Sequence, residues 1–175
     1  MKLLDYVLRG TPGHPIHPPL TDATIGAYTF GTIAAVLSKL GIAEEEFAHA
    51  WWLALVVALV VSAPTALTGL VDYLRISTGT PLKRTATVHA LTMVGATVVF
   101  AITVGAGHGG YTDGEVTTGA FLLTLVGFGL LTAGGTFGGS ITYVHGMRVL
   151  DLVDEPTRRA LSPVPSEEKE QAEQG

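Results

Sequence analysis

The sequence predicts an all-α protein, a four-helix bundle integral to a membrane. Three observations carry that expectation. Only 14% of the 175 residues are charged and the mean hydropathy is +0.44, whereas soluble domains carry about a quarter charged residues. Four apolar stretches each approach the ~20 residues that a helix needs to cross a hydrocarbon core of about 30 Å. Finally, nine of the ten lysines and arginines fall on one side of the membrane those stretches define.

Residues 1–20 are expected to form an interfacial segment ending in GHPIHP. They lack the continuous apolar core and small-residue cleavage site of a secretory signal. Residues 21–150 make up the transmembrane domain. Its first span, about 21–40, is the least apolar and has Asp22 in its first turn. The second, about 47–74, is uncharged from Ala50 to Val71 and contains Pro64, which should kink it by removing a helical hydrogen bond. The third covers about 86–107 and the fourth about 116–143. The fourth carries the spaced pairs Gly134/Gly138 and Gly135/Gly139, which let helix backbones approach closely in lipid. Packing within the bundle is the first expectation for these glycines; the same seam would suit a homo-oligomer.

Lys2 and Arg9 precede span one, Arg75, Lys83 and Arg84 separate spans two and three, and Arg148, Arg158, Arg159 and Lys169 follow span four. The opposite side carries Lys39, Glu44, Glu45, Glu46, Asp113 and Glu115. By the positive-inside rule both termini are cytoplasmic and the protein is multi-pass in a cell (inner) membrane. Residues 151–175 hold seven acidic and three basic side chains, a net −4 of the chain's −5. Their Pro, Ser and Glu bias predicts a disordered acidic tail.

Several functions are excluded by what is missing. Without cysteine there is no disulfide, thiolate nucleophile or protein-ligated iron–sulfur cluster. There is no Gly-x-Ser-x-Gly elbow, HExxH, phosphate loop or dinucleotide fingerprint. No basic patch with interleaved aromatics suggests a nucleic-acid partner. Hydrolase, kinase and nicotinamide-dependent activities thus have little support in the sequence, which leaves open a redox or electron-transfer component.

Histidine supplies the positive signal. This topology gathers His14, His17, His89 and His145 at the basic end, together with Asp22, Asp72 and Tyr143, and leaves His49 and His108 at the other. Ionisable groups at membrane depth are costly and tend to face the bundle interior with a partner. Imidazoles from different helices suit the two faces of haem b, with His89 and His145 as the preferred axial pair and His14 and His17 as further ligands or a proton relay. Asp22 and Asp72 could fix the tautomer of a ligand imidazole, with Tyr143 beside them. Alternatively Asp72 could join the four histidines around non-haem iron or another divalent metal. His14 and His17, three apart in a proline-rich run, could point the same way in polyproline geometry, or simply stiffen the lead-in to span one. With no cofactor at all, the same residues would form a hydrogen-bonded clasp at the helix ends.

GHPIHPPLTD, TGLVDYL, VHAL and GGSITYVHGMRV, recurring in that order, resemble an uncharacterised bacterial family of four-span membrane proteins, a domain of unknown function. The similarity spans about residues 10–150, and its motifs fall on His14, His17, Asp72, His89, Gly138, Gly139, Tyr143, His145 and Gly146. ATIGAY stands where a more apolar Pro-Ile-Gly run is usual. Some members are fused to a Rieske iron–sulfur domain, so the resemblance implies the four-helix fold and points towards electron transfer. The partners expected are membrane lipid, a quinone and a separate iron–sulfur or other redox protein.

Overall fold

The computed structural model describes residues 3–11 and 13–150; the predicted acidic tail lies outside the described residues. A short helix α1 (Leu3–Arg9) leads into two-residue strands β1 (Gly10–Thr11) and β2 (His14–Pro15), which pair antiparallel. Four long helices follow: α2 (His17–Lys39), α3 (Glu44–Leu74), α4 (Pro81–Asp113) and α5 (Thr118–Gly139), the last running into a π-helical turn at Ser140–Val144. All four are long and apolar enough to span a membrane. The predicted bundle is therefore present, with a small hairpin added ahead of it.

The helix boundaries shift for local reasons. α2 begins at His17 rather than 21 because Pro18 and Pro19 occupy its first turn, where a missing N–H costs nothing. α3 starts at Glu44, three residues before the expected position; Glu44, Glu45 and Glu46 in its first turn complement the positive helix end. Pro64 lies inside α3, which continues through it. α4 is longer at both ends. Thr80 caps it by accepting from the Lys83 N–H at 3.1 Å with Pro81 next, and Gly114 closes it in the left-handed conformation at φ 72°.

Side-chain placement is that of a membrane bundle. Large apolar residues lie outside: Phe30 and Ile33 on α2, Leu53, Val57 and Val60 on α3, Leu91 and Val94 on α4, Leu122 and Val126 on α5. Thr24, Thr32, Ser62, Thr65, Thr68, Thr103 and Thr124 lie inside. Most of these hydroxyls donate to a carbonyl one turn back, as in Thr32 to Tyr28 O at 2.9 Å and Thr124 to Ala120 O at 2.8 Å. Hydrocarbon offers no other partner. Cross-helix bonds add to them: Thr24–Thr65 at 3.0 Å, Tyr28–Ser62 at 3.1 Å, and Trp51 Nε1 to Thr124 at 3.0 Å.

Small residues let the helices close. Ala34, Ala35, Ala58, Ala96 and Ala120 are buried at helix contacts, and glycines receive the large rings. Phe100 stacks on Tyr28 with centroids 4.0 Å apart, and its ring lies where a Cβ on Gly127 would stand, 2.9 Å away. The indole of Trp51, fully buried, occupies the space in front of Gly107. Gly107→Ala should therefore destabilise the bundle by about 1–3 kcal/mol through overpacking. Gly105→Ala, with nothing within 4 Å of the new methyl, is the matched control and should leave thermal unfolding in detergent unchanged. Equal melting of the two variants would contradict this packing.

Candidate functional site

The two described ends of the chain meet at the end of the bundle where α3 stops and α4 starts. Asp72, 5% exposed near the C-terminus of α3, organises that end. It accepts from Arg9 Nε at 2.8 Å and from Arg148 Nη1 at 3.1 and 3.2 Å. One carboxylate thus fastens α1 and the segment beyond the π-turn to α3. Arg148 holds a left-handed backbone at φ 62°, an uncommon conformation for a side chain of its size. A second latch lies alongside: Lys83 donates to Tyr73 O at 2.7 Å and sits 3.4 Å from the Tyr73 ring centroid, while the Tyr73 hydroxyl meets Thr87 Oγ1 at 3.0 Å.

Asp72 is therefore committed to arginine, and neither the metal-ligand role nor the histidine-orienting role expected of it is realised. A buried carboxylate is stable as an anion only beside compensating charge, and the two guanidiniums supply it.

Three of the four basic-end histidines are anchored by the fold. His17, the first residue of α2, sets Nδ1 3.0 Å from Thr65 O and 3.2 Å from Thr68 Oγ1 on α3. Its ring lies against Gly69, where a Cβ would come within 2.6 Å. His89, roughly 12 Å along α4 from Pro81, sets Nδ1 2.8 Å from Gly134 O on α5, and its ring covers Gly138. His145 follows the π-turn and places Nε2 3.0 Å from Thr85 Oγ1.

The remaining residues depart from expectation. His14 is exposed on β2, whereas His17 opens α2 just beyond it; a strand and a helix start, not a polyproline run, hold the two residues, and it is His17 that contacts α3. Asp22 is exposed on the outer face of α2, and Tyr143 is 86% exposed because the π-turn rotates it outward. Neither neighbours a histidine by any hydrogen bond. Among the described residues no three of His, Asp and Glu are grouped to hold a metal ion, so the mixed set of His14, His17, His89, His145 and Asp72 is not assembled.

The opposite end has its own cluster. Trp52 stacks on Tyr111 with centroids 4.5 Å apart, while His108 meets Trp52 and His49 meets Tyr111 edge-on at 5.5 and 5.2 Å. Trp52 Nε1 donates to Val104 O at 2.9 Å. These amphipathic rings suit a membrane–water interface, as the positions of His49 and His108 in the sequence suggest. The sequence did not reveal the arginine partners of Asp72, the carbonyls of Thr65 and Gly134, or the clearance at Gly69. Opposite charge on Arg9 and Arg148 and a glycine one turn beyond each carbonyl were the available signals.

The fold and these contacts define a class: small integral membrane bundles of four spanning helices. Residues 13–151 match the family described as Predicted membrane protein (DUF2231), and the chain belongs to it. No curated protein and no solved structure matches the chain.

The clasp makes a direct prediction. Asp72→Asn keeps the shape and removes the charge, leaving two partly exposed guanidiniums uncompensated; it should cost about 2–3 kcal/mol, below the full penalty for a buried pair. Limited proteolysis should then cut within α1 and the β1–β2 hairpin faster than in the parent protein. An unchanged digestion pattern would refute the clasp.

Proposed function

We propose that this protein binds haem b at the basic end of the bundle and serves as an electron-transfer component of a bacterial inner membrane, with both termini cytoplasmic. One observation carries the reading: imidazoles from both helical hairpins, α2–α3 and α4–α5, are held at one end of the bundle by dedicated backbone and hydroxyl contacts. Bundle cores bind cofactors with such side chains on facing helices. When bound, the group supplies a one-electron ferric/ferrous couple. The chain's own residues hold the imidazoles in orientation, close the site with the Asp72 clasp and exclude water with the apolar spans. A quinol dissolved in the lipid is the donor class that fits this depth; it loses two electrons and two protons in two one-electron steps. A separate iron–sulfur or other redox protein, which this cysteine-free chain cannot replace, takes up the electrons one at a time.

Purified in mild detergent, the protein should show a Soret band and a reduced-minus-oxidised α band, with about one haem b per chain by extraction. A colourless preparation that also takes up no added haemin would overturn the reading. A second reading is favoured by a specific observation, the Asp72–Arg9–Arg148 contact: the polar end is a structural clasp without cofactor. It predicts that colourless preparation, with stability lost when Asp72 is replaced.

The absence of cysteine gives a clean background for topology. Ser77→Cys, in the basic-end loop, should react with a membrane-impermeant maleimide only after permeabilisation, and Ile42→Cys, in the opposite loop, from outside intact cells. The reverse pattern would invert the orientation.

A further inference from the structure

We infer that His17 and His89 are the two residues that would ligate the haem, and that His145 would not; this rests on the haem-binding reading above. The two hairpins treat these imidazoles alike, apart from the added contact of His17 Nδ1 with Thr68 Oγ1 at 3.2 Å. On α3, His17 Nδ1 faces Thr65 O and its ring covers Gly69, four residues on. On α5, His89 Nδ1 faces Gly134 O and its ring covers Gly138, again four residues on. A helix carbonyl and the glycine one turn later thus form the same seat twice, once in each hairpin.

That seat fixes the tautomer. A carbonyl can only accept, so the proton of a neutral ring resides on Nδ1 and the lone pair on Nε2. Such second-partner hydrogen bonds also orient ligating histidines and raise their basicity. Nothing competes for the lone pairs. The hydroxyl nearest His17 Nε2, on Thr21 at 3.5 Å, already donates to His17 O at 3.0 Å. His89 Nε2 has no hydrogen bond among the described residues and, on a half-buried residue, is not itself a buried atom. Each glycine lets the ring lie flush against a helix backbone, where a Cβ would stand 2.6 Å from His17 Cε1 or 3.1 Å from His89 Cε1.

His145 is built the other way. Its Nε2 is the anchored nitrogen, 3.0 Å from Thr85 Oγ1, and the Thr85 hydroxyl donates to Pro81 O at 3.2 Å. The Thr85 oxygen is left to accept, which puts the proton on His145 Nε2 and removes that lone pair. The pair His89/His145 preferred from spacing alone therefore fails on tautomer, and His17 replaces His145.

The test uses the full chain purified with its haem, and apoprotein reconstituted with haemin. The parent should be six-coordinate and low-spin. His17→Ala and His89→Ala should each become high-spin and bind carbon monoxide when reduced, whereas His145→Ala should keep the parent spectrum. Should an alanine variant fail to fold, His17→Met and His89→Met retain a ligand and should stay low-spin with a raised midpoint potential, the direction that His/Met ligation gives. Loss of low-spin ligation in His145→Ala with its retention in His17→Ala or His89→Ala would overturn the pairing while the haem reading stands. A parent protein that takes up no haem overturns both.

Discussion

In the hydrocarbon core there is no water to satisfy a polar group, and every donor and acceptor must find its partner within the chain. That constraint explains why the interior of this bundle is richer in threonine than in leucine. Hydroxyls return to carbonyls one turn back, Tyr28 reaches Ser62, and Trp51 reaches Thr124. Among the described residues no buried side-chain nitrogen or oxygen lacks a partner. Because lipid is as apolar as leucine, the large aliphatic side chains gain nothing by turning inward. Alanine and glycine hold the helices together instead, by allowing the rings of Trp51, Phe100, His17 and His89 to lie against backbone.

The same constraint makes the basic end unusual. A carboxylate and two guanidiniums stand where the helices stop, with three anchored imidazoles in the same end of the bundle. Asp72 is neutralised by Arg9 and Arg148, which come from opposite ends of the described chain. Its contacts tie both described ends of the chain to α3. The clasp and the histidine seats are thus separable layers. One is an ion-paired tie where α3 ends, and the other is a pair of carbonyl-anchored imidazoles one or two turns deeper.

Much of this was legible in the sequence, and the misses have physical causes. Composition and the placement of lysine and arginine were enough for the four spans, because hydropathy over some twenty residues integrates a strong signal. Helix starts were displaced, since Pro18 and Pro19 look like breakers but are tolerated in a first turn, and since Thr80 and Pro81 begin α4 well outside its apolar run. That histidines would collect at one end was readable; which nitrogen each would present was not, because Thr65 O and Gly134 O are backbone groups that any sequence possesses. Asp72 was recognised as a polar group at depth, yet its partners lie 63 and 76 residues away. Asp22 and Tyr143 shared the depth of the site but not its face, a distinction that helix rotation and the π-turn decide. Gly134 and Gly138, readable as a packing pair, face His89 and Met93 of α4 within the bundle.

The most direct measurement is the low-temperature electron paramagnetic resonance spectrum of the oxidised, purified protein. The account predicts a low-spin ferric signal with the g values of two neutral imidazole ligands. A high-spin axial signal, or no haem signal in protein supplied with haemin, would contradict it.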